Sequence, residues 1–226
     1  MIQVRDLVKT YQLNSADHKK VIILNQLNLK METGEIIAIV GSSGSGKSTL
    51  LGLISGLDQP DSGEIIIQQQ SLQKLSGDYL TKFRSSQIGI VFQQYYLVHH
   101  LTAYENLALP LEILKKPVQQ EKIMEALRNV GLDHRAHHKP NELSGGECQR
   151  LAIARALIIQ PSLLLADEPS GSLDVDTGVM VMNVFFDQIR KNKTTTILVT
   201  HDLDLAKRCD RIFKLNSGKL EAVQHV

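Results

Sequence analysis

GSSGSGKST, Gly41 to Thr49, is the stretch that decides how this chain is read. It places Gly41, Gly46, Lys47 and Ser48 in the pattern of glycine, four free positions, then Gly-Lys-Ser/Thr. The apolar β-type run EIIAIV (Glu35–Val40) precedes it, and STLLGLISGL (Ser48–Leu57) follows with apolar residues at helical spacing. Strand, loop and helix therefore stand in the order that a phosphate-cradling loop requires. Glycines let the backbone curl round an anion without Cβ clashes. Successive N–H groups and the positive helix end then point at phosphates. Lys47 is placed to reach the β- and γ-phosphates, and the Ser48 hydroxyl to ligate Mg²⁺. A plain Gly/Ser turn accounts for the glycines but not for the Lys-Ser pair.

Composition narrows the field around that loop. A chain of 226 residues suits one large domain or two closely packed lobes. With 25 basic and 24 acidic residues the net charge is +1, so nothing marks nucleic acid as a partner. Two cysteines, Cys148 and Cys209, make no disulfide framework and are expected as reduced thiols. Cys148 lies near a helix start that would lower its pKa and make the protein thiol-sensitive. The N-terminal MIQVRDLVKTYQ has no signal-peptide core, and no apolar run approaches the ~20 residues of a membrane span. A role in membrane transport would then place the membrane part in another chain.

Upstream, IQVRDLVKTY alternates in the manner of an edge strand, and a polar loop spans residues 12–20. VIILNQLNLKM (Val21–Met31) reads as two short strands of an antiparallel layer. Tyr11 has two readings, a packed strand residue or a flat surface for an adenine ring. Downstream, IGIVFQQ (Ile88–Gln94) is a buried strand whose Gln93 sits at the carboxyl end, where open α/β sheets bind ligands. A terminal glutamine is otherwise simply solvated. The middle, Tyr95 to Ala156, is mostly helical, with Thr102 and Glu105 at capping-box spacing and VQQEKIMEALRNVG ending on Gly131. His134, His137 and His138 have no carboxylate or cysteine at ligand spacing and read as a solvated loop. LSGGECQRLAIARALI begins a second helix on a glycine turn, where Ser144, Gly145 and Gly146 present a hydroxyl and amides to an anion.

Two strands end in groups suited to chemistry. LLLADE closes on adjacent acids: Asp167 is placed to hold Mg²⁺ through water. Glu168, pointing the other way by strand alternation, is placed to orient or deprotonate a water. TTTILVTHD ends at His201, where an imidazole meets a γ-phosphate or, lacking the other motifs, is an ordinary exposed histidine. TGVMVMNVFFDQIRKN reads as a helix whose Met and Phe pack a core. RIFKLNSGKLEAV reads as a closing hairpin. Strands alternating with helices after Glu35 point to an α/β fold with a parallel sheet.

At LSGGECQR the chain resembles the nucleotide-binding subunit of an ATP-binding cassette (ABC) transporter, over essentially its whole length. The motifs occur in the family's order. Tyr11 matches the adenine-stacking aromatic, Gly41–Thr49 the Walker A loop, and Gln93 the Q-loop. Leu143–Glu147 matches the signature, Leu163–Glu168 the Walker B strand, Ser170–Asp174 the D-loop and His201 the switch histidine. The resemblance implies a P-loop NTPase (RecA-like) fold: a mostly parallel core, an N-terminal antiparallel β layer, and a helical lobe carrying the signature. It implies a single cassette, 1–226, with residues 1–94 and 161–226 in the core lobe and 95–160 in the helical lobe.

It also implies ATP and Mg²⁺. Lys47, Gln93, Glu168 and His201 are then catalytic, and Ser48, Gln93 and Asp167 serve the metal. Tyr11, Gly41, Ser42, Ser43, Gly44, Ser45, Gly46, Lys47, Ser48 and Thr49 hold the nucleotide from one copy. Ser144, Gly145, Gly146 and Glu147 hold it from a second, in a head-to-tail homodimer. An integral-membrane permease would be contacted through Gln93 to Lys116, which places the chain on the cytoplasmic face of the inner (plasma) membrane. GSSGSGKSTLL, VGLDHRAHHKPNELSGGE and THDLDLAKRCDR are most similar to the lipoprotein-releasing (LolD) and macrolide-exporter (MacB) branch. Ser170 and Ser172 stand where that branch usually has Thr and Asn, and Cys148 replaces a more usual Gln or Arg. A soluble ABC ATPase acting on DNA or ribosomes is the competing class; its coiled-coil insertions and tandem cassettes are missing here.

Overall fold

The computed structural model describes residues 1–12 and 20–223. Apart from its two ends, the polar loop expected at 12–20 lies outside them. In chain order the strands and helices are β1 (Ile2–Gln12), β2 (Lys20–Met31), β3 (Ile36–Val40), α1 (Lys47–Ile54), β4 (Ser62–Ile67) and β5 (Gln70–Ser71). There follow α2 (Gly77–Gln87), β6 (Ile88–Phe92), α3 (Ala103–Ile113), α4 (Gln120–Asn129), α5 (Gly145–Leu157) and β7 (Leu163–Asp167). The chain closes with α6 (Val175–Lys191), β8 (Thr195–Val199), α7 (Leu203–Ala206), β9 (Arg211–Asn216) and β10 (Lys219–Val223). Residues 1–81 with 195–226 form one compact unit, and 82–194 a second.

The first unit contains an antiparallel sheet in the order β2-β1-β4-β5. β1 is thus an inner strand, not the edge its alternation suggested. One buried face, with Ile2, Val4 and Leu7, produces the same alternation whether or not a second neighbour is present. β2 is likewise one strand of 12 residues instead of two short ones. The strand is irregular instead of broken: its register with β1 slips between Val4↔Leu29 and Leu7↔Leu27, where Asp6 takes φ 45°, and again between Leu7↔Leu27 and Lys9↔Leu24, where Gln26 takes φ 50°. Asn28 Oδ1 accepts the Asp6 N–H at 3.0 Å, which holds the irregular segment.

The same unit carries β3 between two parallel partners, β8 and β9, with β10 antiparallel to β9. Every residue of β3 and β8 is buried, as expected for parallel strands covered on both faces. Pairing Ile39 with Val199 and Ile39 with Phe213 sets the register, so residues just beyond 40 and 200 leave neighbouring strand ends together.

In the second unit β6 and β7 pair in parallel from Ile88↔Leu163 to Phe92↔Asp167. Leu107, Ile123, Leu127, Leu132 and Leu151 form the helical core. α3 starts with the capping box read from the sequence: Thr102 Oγ1 accepts the Glu105 N–H at 3.2 Å, and Glu105 accepts the Thr102 N–H at 2.8 Å. Asn106, fully buried, accepts the Val98 N–H and donates to the carbonyls of Val98, Leu101 and Thr102. That bracing orders the segment after β6. α4 ends before Gly131, whose φ of 70° suits a residue without a Cβ.

Candidate functional site

The phosphate loop connects β3 to α1 in the first unit. Gly46, its N-cap, stands at φ 101°, and a methyl group there would lie 2.7 Å from Ile23 Cγ2. At Gly41 a methyl would lie 2.8 Å from both the Leu215 carbonyl and Ser45 Oγ. Gly46 is required by conformation as well as contact, and Gly41 by its contact with the Leu215 carbonyl. No side chain caps α1, so its first N–H groups retain the capacity to bind an anion. Lys47 is buried, and its ammonium donates to the carbonyls of Gly41 at 2.9 Å and Ser42 at 3.0 Å. Ser45 Oγ is buried without a partner. An uncapped helix start, a glycine-lined curve, a lysine folded back on the loop and an orphaned hydroxyl fit a polyphosphate.

Tyr11 is 43% exposed, an unusual degree for a packed strand aromatic. Its hydroxyl donates to Asp58 Oδ2 at 2.9 Å and also engages the Thr49 side chain, tying the ring to the phosphate loop. Lys9 bonds Asp58 Oδ1 at 2.8 Å and lies 5.1 Å from the Tyr11 ring centroid. Burial disfavours the Asp58 carboxylate, but hydrogen bonds from Lys9 and Tyr11 outweigh it and keep the group below its ordinary pKa. Burial and that carboxylate push the Tyr11 phenol up. His201 is exposed on the loop after β8. Thr200 N–H donates to the Ile39 carbonyl, and Thr200 Oγ1 accepts the Asp202 N–H, placing His201 beside the strand end from which the phosphate loop departs.

The second unit gathers the remaining motifs. Since Phe92 pairs with Asp167, Gln93 and Glu168 leave adjacent strand ends. Glu168 does not continue the strand's alternation as expected: it lies one residue past β7 at φ 45°, so a turned backbone sets its direction. Its carbonyl accepts the Gly171 N–H at 2.9 Å, opening the turn that leads to Asp174, the side-chain cap of α6.

At the start of α5, Ser144 Oγ accepts the Glu147 N–H at 3.2 Å and Glu147 accepts the Ser144 N–H at 2.8 Å. The Ser144 backbone N–H, chiefly, holds the Glu147 carboxyl below its usual range, with help from the Ser144 hydroxyl and Arg135. The signature hydroxyl is therefore held in place by the capping box of its own helix. Gly146 is required by close packing, because a methyl would stand 2.4 Å from Thr177 Cγ2.

Cys148 departs from the expectation drawn from its position. Burial, and then the neighbouring Glu147 charge, push its thiol up, and its Sγ–H donates to the Pro140 carbonyl at 3.4 Å. Desolvation outweighs the helix start. The physical basis for an activated thiol is gone. Among the described residues no group of three or more His, Cys, Asp or Glu is arranged for a metal, and no helix is long and apolar enough to cross a membrane.

Three further residues support the motifs without having been singled out in sequence. Lys9 and Asp58 hold Tyr11, as above. Arg155, half-buried on α5, donates to the carbonyls of Tyr95 and Tyr96 at 2.9 and 2.6 Å. Burial pulls its guanidinium below the ordinary pKa. Each acts on a partner some 50–60 residues away, which local pattern cannot reveal.

Comparison with known proteins gives the family. The family model described as ABC transporter matches residues 24–171. The lipoprotein-releasing system ATP-binding protein LolD of Treponema denticola is 44% identical over 226 residues, covering 99% of this chain and 98% of the relative. The dimeric ATP-binding cassette MJ0796, solved in a post-hydrolysis state with ADP and Pi, superposes with a TM-score of 0.87 at 38% identity and full coverage of both chains. A second solved structure, cbiO1 of Clostridium perfringens, from the transporter complex cbiONQ, gives 0.84 at 29% identity, covering 97% of this chain and 86% of that one.

Proposed function

The chain belongs to the ABC transporter family as an ATP-binding, ATP-hydrolysing subunit, and from that premise we propose that it drives lipoprotein release by a membrane partner. The observation that carries the nucleotide chemistry is the phosphate loop, uncapped and glycine-lined, with the Lys47 ammonium on its own carbonyls. Likeness to LolD along the whole chain supports lipoprotein over macrolide as cargo.

On this reading the α1 N–H groups and Lys47 take the ATP phosphates, with the ammonium trading loop carbonyls for phosphate oxygens. Tyr11 stacks on the adenine. Ser48, Gln93 and Asp167 hold Mg²⁺, which neutralises phosphate charge when bound. Glu168 receives a proton from the attacking water, and His201 contacts the γ-phosphate. Ser144, Gly145, Gly146 and Glu147 of a second copy complete each site, in a head-to-tail homodimer. Closure on ATP and reopening after hydrolysis then shift the membrane partner between states. That partner docks on Gln93–Lys116, where Tyr96 and Ile113 expose 62% and 63% of their surface, and holds the chain at the cytoplasmic face of the membrane.

Tagged Glu168→Gln protein, given ATP in detergent-solubilised membranes and captured, tests this assignment. The expected companion is a membrane protein with few spans and a large extracytoplasmic domain. A many-span permease with a solute-binding protein would move the chain to import. Ribosomal or DNA factors would overturn the transport reading.

A further inference from the structure

We propose that Tyr95 and Ser172 are positioning residues whose hydroxyls form a relay fixing the Gln93 backbone to the turn after Glu168 and to the start of α5. Ser172 Oγ lies 3.1 Å from both the Tyr95 hydroxyl and the Gln93 carbonyl oxygen. The carbonyl only accepts, so the single Ser172 proton goes to Gln93. Tyr95 must then donate to Ser172. The relay runs in one direction, Tyr95 O–H to Ser172 O–H to Gln93 C=O, and each bond polarises the next.

Two other contacts make Tyr95 the meeting point of three motifs. Its hydroxyl is 3.0 Å from where a Gly145 methyl would stand, so the ring tip lies against the signature glycine. Its carbonyl, with that of Tyr96, is held by the Arg155 guanidinium from α5. The backbone needs this holding: Tyr95 and Tyr96 stand at φ 53° and 47°, a left-handed pair that non-glycine residues adopt only when surroundings impose it. A displacement of Gln93 is thereby transmitted to the Glu168 turn and to the signature helix as one motion. Serine suits position 172 because it can accept and donate through one atom at this short reach.

The inference rests on the catalytic role proposed for Gln93, and the experiment separates the two. Steady-state ATP hydrolysis is measured for the wild type, Tyr95→Phe, Ser172→Ala, the double variant, Ser172→Thr and Gln93→Ala. Tyr95→Phe and Ser172→Ala are each expected to lower kcat roughly tenfold with KM for ATP little changed. The double variant should be no slower than either single one, since one relay is broken in all three. Ser172→Thr, which keeps the hydroxyl on an exposed residue, should restore the rate. Unchanged kcat in Tyr95→Phe beside a slow Gln93→Ala would overturn the relay alone. Losses that multiply in the double variant, or failure of threonine to rescue, would do the same. An unimpaired Gln93→Ala would remove the role of Gln93 and the relay with it.

Discussion

Glu168→Gln is expected to stop ATP turnover while leaving ATP binding intact. The amide occupies the same volume and makes similar polar contacts, but it cannot take a proton from the attacking water. General-base catalysis contributes typically 10²–10⁴-fold, so kcat should fall by about that factor with little change in nucleotide affinity. The position supports the expectation: Glu168 stands just beyond β7 at φ 45°, a turned conformation tied by its carbonyl to Gly171. Strain kept at such a point is characteristic of functional residues. A protein that binds ATP without destroying it should also accumulate as the ATP-bound dimer, visible as a doubling of mass by light scattering. Hydrolysis at the wild-type rate would sink the assigned role of Glu168.

Lys47→Met should have the second large effect, on binding instead of turnover alone. Methionine keeps the length of the stem but supplies no donor to the phosphates. Losing charge-assisted bonds worth about 1.5–3 kcal/mol each should weaken ATP roughly a hundredfold or more. Thermal unfolding reads this directly. At ATP one hundred times the wild-type Kd, binding stabilises the protein by about 2.7 kcal/mol, whereas a hundredfold weaker variant gains only about 0.4 kcal/mol. Without nucleotide the variant should lose about 1–3 kcal/mol, because the Gly41 and Ser42 carbonyls lose their donor. The ATP-dependent increment is thus the discriminating quantity. A full increment in Lys47→Met would show that Lys47 does not bear on the phosphates.

How much of this was legible beforehand varies with the range of the interactions. Gly46, Lys47 and the Thr102–Glu105 box are set within a few residues, and their spacing alone gave strand, loop, helix and cap. The order of motifs identified the family. By contrast, β1 looked like an edge because alternation reports one buried face and says nothing of a neighbour on each side. Val21–Met31 looked like two short strands because a slipped register interrupts alternation without ending the strand. Position alone made Cys148 appear activated; burial, invisible in a short window, reverses the sign. Lys9, Asp58 and Arg155 act across long sequence separations on carbonyls and a phenol, so no local signal marked them.

The central claim is that two copies share each ATP, Lys47 of one acting with the signature of the other. Mixing two inactive variants tests it most directly: Lys47→Met, which lacks a working phosphate loop, and Ser144→Arg, which blocks the exposed start of the signature helix. Alone, neither should hydrolyse ATP. In the mixed dimer one site pairs the intact loop of the Ser144→Arg chain with the intact signature of the Lys47→Met chain, and turnover should return. A mixture as inactive as its parts would contradict a site shared between copies.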